Sequence, residues 1–365
     1  AYRMAKDPFF DNKSIILIDK DKKKGNNRTW CFWEKESNEW DSIIIKKWND
    51  IFFGAKGKIK KISLKPYSYK MIRSGLFYET LWNYILSKDN FSFHQEEVTN
   101  INTSQNSIEV HGKNSTFRAS KVFNSLPIND SYLRQSKFPV LKQHFVGWFI
   151  ETKEDHFEVD AATFMDFNIE QKGNTRFMYI LPINKKEALF EYTLFSEYLL
   201  NKEDYEKAIE NYLKEKNIND YIITEKEQGS IPMTAYRFAS ENKKNLLNIG
   251  SAGGWTKAST GYTFSNCSRK TKELLSFLKN SEDLSRFEKK SKYQIYDMLL
   301  LDVLHKNNEL GQEIFSKLFE KVEIKTILEF LDEKSSISQD FKIMFSVPRW
   351  KFTLALIKRL VNNVH

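Results

Sequence analysis

Four glycines crowd one connection near residue 250, and they constrain this chain more than any other feature. Residues 248–264 read Asn-Ile-Gly-Ser-Ala-Gly-Gly-Trp-Thr-Lys-Ala-Ser-Thr-Gly-Tyr-Thr-Phe. A short apolar strand, 246–249, is expected to enter this loop, and a helix, 265–278, to leave it with Leu274, Leu275 and Leu278 on one stripe. Glycine has no Cβ and adopts positive φ freely, so glycines clustered between strand and helix let backbone approach a ligand. The helix start adds unpaired N–H groups and a positive dipole end, which suit an anionic or electron-rich group. A tight strand-to-helix connection without a ligand accounts for the same glycines.

A chain of 365 residues can bury a large core and is expected to divide into two domains. Its 41% hydrophobic and 15% aromatic content suits a globular enzyme and argues against disorder. The 29 Phe fit either ordinary core or the lining of a large apolar cavity. Net charge is +9 with scattered Lys, and neither zinc-finger spacing nor an RNA-binding signature accompanies it. Nucleic acid is therefore not expected as a partner, which leaves an anionic membrane surface or plain solubility. Two cysteines, Cys31 and Cys267, make no disulfide framework and suit a reducing cytosol. The histidines at 94, 111, 144, 156, 305 and 365 lack metal-ligand spacing, so no metal site is expected. No stretch approaches the ~20 apolar residues of a membrane span, and no secretory signal is visible.

Residues 1–5 read as the end of a helix, followed by a polar loop and a strand, 14–18, ending at Asp19. In a dinucleotide-binding βαβ unit, an acidic residue at the end of the second strand bonds the adenosine ribose hydroxyls, and Asp19 fits that role. A first strand and a G-x-G-x-x-G fingerprint should precede it and are absent from this chain, so roughly twenty natural residues are expected to be missing. An Asp closing any edge strand is the bland alternative; Arg28-Thr29-Trp30 after it favours the first.

Further along, a strand (42–46), a Lys-rich loop (56–65) and a helix (74–86, with Leu76, Leu81, Tyr84 and Ile85 inward) are expected. Alternation then marks strands at 91–101, 107–111 and 117–124. Antiparallel strands follow at 145–151, 161–170, 175–181 and 188–195, with turns at Lys172-Gly173-Asn174 and 184–187. Tyr205, Ala208, Ile209, Tyr212 and Leu213 make an amphipathic helix able to cover one sheet face. Residues 227–234 return the chain, and 284–365 is helical by pattern. Its final segment carries Trp350, Leu354, Ile357 and Val361 on one stripe beside Arg349, Lys351, Lys358 and Arg359. Such a helix either lies in a membrane interface or is a last core helix with a solvated basic face.

The loop at 250–264 resembles the flavin-contacting segment of bacterial lycopene β-cyclases. Asn27-Arg28-Thr29-Trp30-Cys31-Phe32-Trp33, Phe164-Met165-Asp166-Phe167 and Phe190-Glu191-Tyr192-Thr193-Leu194-Phe195-Ser196 fit the same family in order and spacing. Ser251 stands where the wider flavoprotein class has Asp, and Ala258 where many relatives have Pro. The resemblance implies an α/β fold: a Rossmann-like FAD-binding domain, an inserted antiparallel-sheet substrate domain, and a helical carboxy-terminal region. The expected bounds are 1–65, 90–130 and 240–283 for the first, 66–89 and 131–239 for the second, and 284–365 for the third. It implies FAD in its reduced form, NAD(P)H as reductant, and lycopene or other acyclic-ended carotenoids as substrate. Cofactor contacts would come from Arg28, Val98, Gly250, Ser251, Gly253, Gly254, Thr260, Gly261 and Tyr262, with Asp19 on the ribose. The implied location is cytoplasmic, peripheral to the inner face of the cell membrane.

Glu191 shares a strand face with Leu189, Thr193 and Phe195. A carboxyl on a buried apolar face has its pKa raised and can act as a general acid, whereas an edge-strand Glu in solvent does neither. The resemblance assigns Glu191 as the proton donor to the substrate. Asp166 is expected on the same sheet face if Asp166 pairs with Ile180 and Ile180 with Glu191, roughly 9–10 Å away. There it would be a second catalytic carboxylate, or it orients backbone or Arg176. The reaction implied is acid-catalysed closure of the ψ ends of lycopene to β-ionone rings without net redox. A flavin hydroxylase or prenyl reductase on the same scaffold would instead consume NAD(P)H in step with product. A non-enzymatic lipid-binding protein would bind no flavin and tolerate loss of Glu191.

Overall fold

A computed structural model describes residues 1–104, 107–126 and 130–361; His365 lies outside them. The chain begins with α1 (Tyr2–Ala5), β1 (Ile15–Asp19), β2 (Thr29–Glu34), β3 (Ile44–Trp48), β4 (Asp50–Ala55), β5 (Lys58–Ser63), β6 (Ser68–Arg73) and α2 (Ser74–Ile85). Next come β7 (Phe91–Gln95), β8 (Val98–Thr103), β9 (Ile108–Gly112), β10 (Thr116–Ala119), β11 (Val122–Asn124) and α3 (Ser131–Arg134). The middle holds β12 (Leu141–Thr152), β13 (Ala161–Asp166), β14 (Thr175–Pro182), β15 (Glu187–Ser196), α4 (Lys202–Glu215) and β16 (Tyr221–Met233). Strand β17 (Leu246–Asn248) and α5 (Phe264–Leu278) flank the glycine loop, and α6 (Lys292–Lys306), α7 (Gly311–Lys321), α8 (Ile324–Leu331), α9 (Ile337–Ser346) and α10 (Arg349–Val361) follow.

The largest sheet has seven strands in the order β16-β12-β15-β14-β13-β4-β5. It is antiparallel except where β13 runs parallel to β4. Its strands are rich in β-branched and aromatic residues, which fit a pleated surface packed on both sides. On one face α4 buries Tyr205, Ile209, Tyr212 and Leu213 against Val146, Trp148, Phe190 and Tyr192. The other face carries Phe164, Phe177, Leu189 and Phe195, which pack with Leu301, Phe315, Phe319 and Ile327 of the helical region. Each such side chain taken fully from water stabilises the fold by about 1.5–3 kcal/mol.

The Rossmann-like part is a layered α/β arrangement. Two parallel pairs, β1-β7 and β11-β17, form its strands. On one side Ile15, Leu17, Phe91 and Phe123 join Leu81, Tyr84, Leu275 and Leu278 of the helices. On the other, Ile18, Val122 and Leu246 meet Ile108 and Val110 of the small sheet β10-β9-β8.

Several expectations needed correction. Residues 56–65 are not a loop: β4 and β5 form a hairpin whose turn residues Lys56 and Gly57 both have positive φ, the geometry of a two-residue turn. The Lys-rich β5 is an edge strand, where charge discourages further pairing, and the hairpin extends the large sheet rather than the Rossmann-like part. The stretches 91–101 and 117–124 are each two strands, because the chain passes from one sheet to another within them. Leu76 is exposed, whereas Ile85 is buried. Arg359 is not on a solvated basic face; it is buried and bonded through two nitrogens to Asp302, at 2.7 and 2.5 Å.

Candidate active site

A cavity of about 650 Å³ lies between the seven-stranded sheet, β2 and β6, and the glycine loop, with Phe315, Phe319 and Ile327 of α7 and α8 closing it. Because successive residues alternate across a strand, β15 presents Leu189, Glu191, Thr193 and Phe195 to it together. Tyr179 sits directly opposite Glu191 on β14 and hydrogen-bonds Tyr69 of β6. Trp33 meets Tyr262 edge-on at 4.8 Å, and Tyr262 stacks with Phe164.

Glu191 accepts a hydrogen bond from Thr193 Oγ1 at 2.7 Å. Removal from water pushes its pKa up to about 8, with the charge of Glu227 adding to the rise. Cys31, Tyr69, Tyr179 and Tyr262 beside it are also pushed up, chiefly by burial, which favours their neutral forms. The arrangement favours the neutral form of the Glu191 carboxyl within an aromatic enclosure.

Glu227 lines the same cavity, and no local sequence signal distinguishes it from the neighbouring Glu225. Gly147, in the strand between them, pairs with Glu191 on one side and Glu227 on the other. Thr29 Oγ1 donates to Glu227 Oε2 at 2.8 Å. Burial raises the Glu227 pKa, while Thr29, Arg73 and Arg28 oppose the rise. Arg73 is held by Glu225 at 2.6 Å and lies 4.0 Å over the Phe149 ring.

Asp166 is elsewhere. The register between β13 and β14 shifts between Thr163 and Asp166, so Thr163 faces Ile180 and Asp166 faces Met178. Met178 in turn pairs with Tyr192, not with Glu191. A one-residue change of register moves a side chain to the opposite sheet face. Asp166 therefore points toward α4, where it accepts from Tyr212 Oη at 2.6 Å and from the Asn168 amide at 2.9 Å. Its carboxyl lies against Gly54, where an added Cβ would come within 2.1 Å of Oδ1. This carboxylate ties β4, β13 and α4 together rather than facing the cavity.

Of the residues expected to touch a cofactor, Arg28, Ser251, Thr260, Gly261 and Tyr262 line the cavity. Gly250 and Gly254 hold positive φ and shape the loop, and Gly253 sits where a Cβ would lie 2.2 Å from the Asn248 carbonyl oxygen. Asp19 and Val98 do not line this cavity; Asp19 ends β1 and Val98 begins β8, and just before it the Glu96 amide donates to the Asp19 carbonyl at 3.0 Å. The carboxyl ends of parallel strands are where open α/β sheets bind ligands. Two buried polar atoms aimed at the cavity wall, Thr260 Oγ1 and Gln143 Oε1, find no hydrogen-bond partner among the described residues. Gly261, at φ 71°, brings its backbone against that same Gln143, since a Cβ there would sit 2.4 Å from Oε1.

The family model described as lycopene cyclase protein matches residues 10–357. This chain belongs to the lycopene cyclase family. No curated protein sequence matches it. Among solved structures it is similar to a geranylgeranyl bacteriochlorophyll reductase-like protein from Thermoplasma acidophilum, at TM-score 0.53 and 10% identity, over 87% of this chain and 84% of that one. A flavoprotein/dehydrogenase from Cytophaga hutchinsonii is similar at TM-score 0.51 and 12% identity, over 87% and 83%. The tetracycline destructase Tet(55) is similar at TM-score 0.50 and 14% identity, over 98% and 93%. At these identities the likeness concerns the fold. Membership of the family makes this chain an enzyme of carotenoid cyclisation.

Proposed function

We propose that this lycopene cyclase-family chain closes the acyclic ψ ends of lycopene into β-ionone rings, with Glu191 as the proton donor. The observation that supports this most is a buried carboxyl, its pKa raised by removal from water, held among aromatic rings in the cavity. Glu191 gives its proton to C2 of the terminal double bond, leaving a tertiary cation at C1. The C5–C6 π bond attacks C1, the charge moves to C5, and loss of the C6 proton completes the ring. No electrons are consumed. The faces of Tyr262, Phe164 and Tyr179 can stabilise the passing cation by cation–π attraction, and the apolar wall excludes the water that would capture it.

The cavity suits FAD: Thr260 Oγ1 and Gln143 Oε1 lack partners among the described residues, Gly261 lets backbone approach Gln143, and Arg28, Ser251 and Tyr262 line the same cavity. Asp19 would hold the ribose and Val98 would lie beside the adenine. When bound in reduced form, with NAD(P)H as the source of its electrons, the flavin supplies negative charge close to the developing cation.

We further assign the exposed face of α9 and α10 to an anionic lipid surface. The stripe anticipated on the last helix is solvent-exposed, with Trp350 at 60% and Val361 at 75%, and Phe341 and Phe345 of α9 are exposed with it. Arg349, Lys351 and Lys358 supply positive charge beside this apolar stripe, the composition of a helix that lies in a headgroup layer. No helix among the described residues is long and apolar enough to cross a membrane. Pigment analysis of lycopene-accumulating cells that express the protein tests the activity: β-ring carotenoids are expected. Lycopene left unchanged, or products reduced or oxygenated in step with NAD(P)H use, would overturn it.

A further inference from the structure

The established family says nothing about where the ring proton goes, and the cavity holds a second carboxyl placed to receive it. Glu191 and Glu227 are the two cross-strand neighbours of one residue, Gly147. Directly paired residues share a sheet face, so both side chains rise on the cavity side, on the strands that flank Gly147. A Cβ added at Gly147 would stand 3.2 Å from Glu227 Cγ and 3.6 Å from Glu191 Cβ. The atom nearest that position is Leu189 Cδ1, at 2.9 Å, so the glycine leaves the space above β12 to this methyl and the two glutamates.

Their surroundings differ in a way that tells them apart. Glu227 accepts from Thr29 Oγ1, and Arg73 and Arg28 lie near enough for their charges to favour its anion, although Arg73 is shared with Glu225. Glu191 faces Thr193 on its own strand, Cys31, Tyr179 and Tyr262 from other elements, and Glu227, with no cation among them. Two anions in one buried site are unfavourable.

We propose that Glu191 and Glu227 act as one acid–base pair across Gly147: Glu191 protonates C2 of the substrate, and the Glu227 carboxylate takes the proton that leaves C6. This rests on the reading of Glu191 as the proton donor. The atoms balance within the site. A C–H bond forms at C2 and C1–C6 closes; the C6–H bond breaks and its proton passes to Glu227. Return of that proton from Glu227 to Glu191 restores the resting pair with no external base. The C2 and C6 atoms flank C1 in the same forming ring, so two carboxyls on one sheet face can serve both.

The pair predicts a bell-shaped pH profile, with protonation of Glu227 closing the acid side and ionisation of Glu191 closing the alkaline side. In Glu227→Gln the acid limb should vanish and the alkaline limb should move down by roughly one pH unit or more, because the neighbouring anion is gone. Its residual product should contain ring double-bond isomers formed by proton loss from carbons other than C6. Thr29→Val, which withdraws the hydroxyl from the Glu227 anion, should raise the acid limb and serves if Glu227→Gln does not fold. Infrared titration of the protein without substrate reads the pair independently of turnover: one carboxylic-acid band should persist above the ordinary Glu range, vanish in Glu191→Gln, and titrate at lower pH in Glu227→Gln. An active Glu191→Gln enzyme would sink the proton-donor reading itself. Unchanged pH limbs, an unmoved infrared titration and pure β rings in Glu227→Gln, with Glu191→Gln inactive, would overturn the pair alone.

Discussion

Replacing Glu191 with Gln should abolish turnover and stabilise the protein, and the two effects have one cause. Burial lifts the Glu191 pKa from 4.5 to about 8. The folded state therefore binds a proton that the unfolded state releases between those values. Below pH ~4.5 both states are protonated and the wild type bears no penalty; as pH rises toward 8 its stability falls, because the fold must either keep the proton or bury an anion. Gln keeps the size and hydrogen-bonding capacity of the neutral acid and never ionises. At about 1.4 kcal/mol per pH unit the wild-type loss has a ceiling of roughly 5 kcal/mol. Solvent entry and the coupling to Glu227 reduce the expected gain of Glu191→Gln to ~2–3 kcal/mol at pH 8. Thermal unfolding at pH 5 and pH 8 measures it: the melting temperature of Glu191→Gln should exceed that of wild type by a few degrees at pH 8, with little difference at pH 5. Cyclisation by the same variant should fall by at least ~10²–10⁴-fold, the usual worth of a general acid. Glu191→Asp withdraws the acid by one methylene and should keep partial activity, since misplacement by about 1 Å costs on the order of 10²-fold. A Glu191→Gln melting difference that is the same at both pH values, or a near-normal rate, would refute the reasoning.

In deuterated water each new β ring should carry one deuterium at C2, delivered from Glu191 after exchange with solvent; mass spectrometry showing rings without it removes the acid from that role. Asp166→Asn should lower stability by ~1–3 kcal/mol through the loss of one of the two acceptor oxygens that serve Tyr212 and Asn168, while the rate per folded enzyme stays within a few-fold; a collapse in rate at unchanged stability contradicts its structural placement. Binding to anionic vesicles should weaken at high salt and on Trp350→Ser, and sedimentation that ignores both changes removes the α10 face from the contact.

Some features of the site were legible in the residues themselves because their physics is local. The glycine loop between a strand and a helix, and the grouping of Leu189, Glu191, Thr193 and Phe195 on one face, follow from backbone conformation and from the two-residue repeat of a strand. Both hold in the fold, with α5 beginning one residue earlier than expected, at Phe264. The amphipathic pattern of α4 was likewise written in its own spacing, and Tyr205, Ile209, Tyr212 and Leu213 are buried. The shape of the family, too, was carried by short segments in order along the chain.

Tertiary structure decided what depends on partners distant in sequence. The shifted register of β13 turned Asp166 to the far side of the sheet, because pairing with β4 and β14 together, not alternation within β13, sets which way that carboxyl points. The Lys-rich stretch is an edge strand because its hairpin partner β4 pairs with β13 on its other side. Exposure of the stripe on α10 was settled by where the helix docks: Ala355 and Arg359 face inward, leaving Trp350, Leu354 and Ile357 outside. Glu227 carries no local mark at all. It enters the site because β12 lies between β15 and β16, and because a glycine at the crossing point leaves both carboxyls on the cavity face without a side chain of β12 between them.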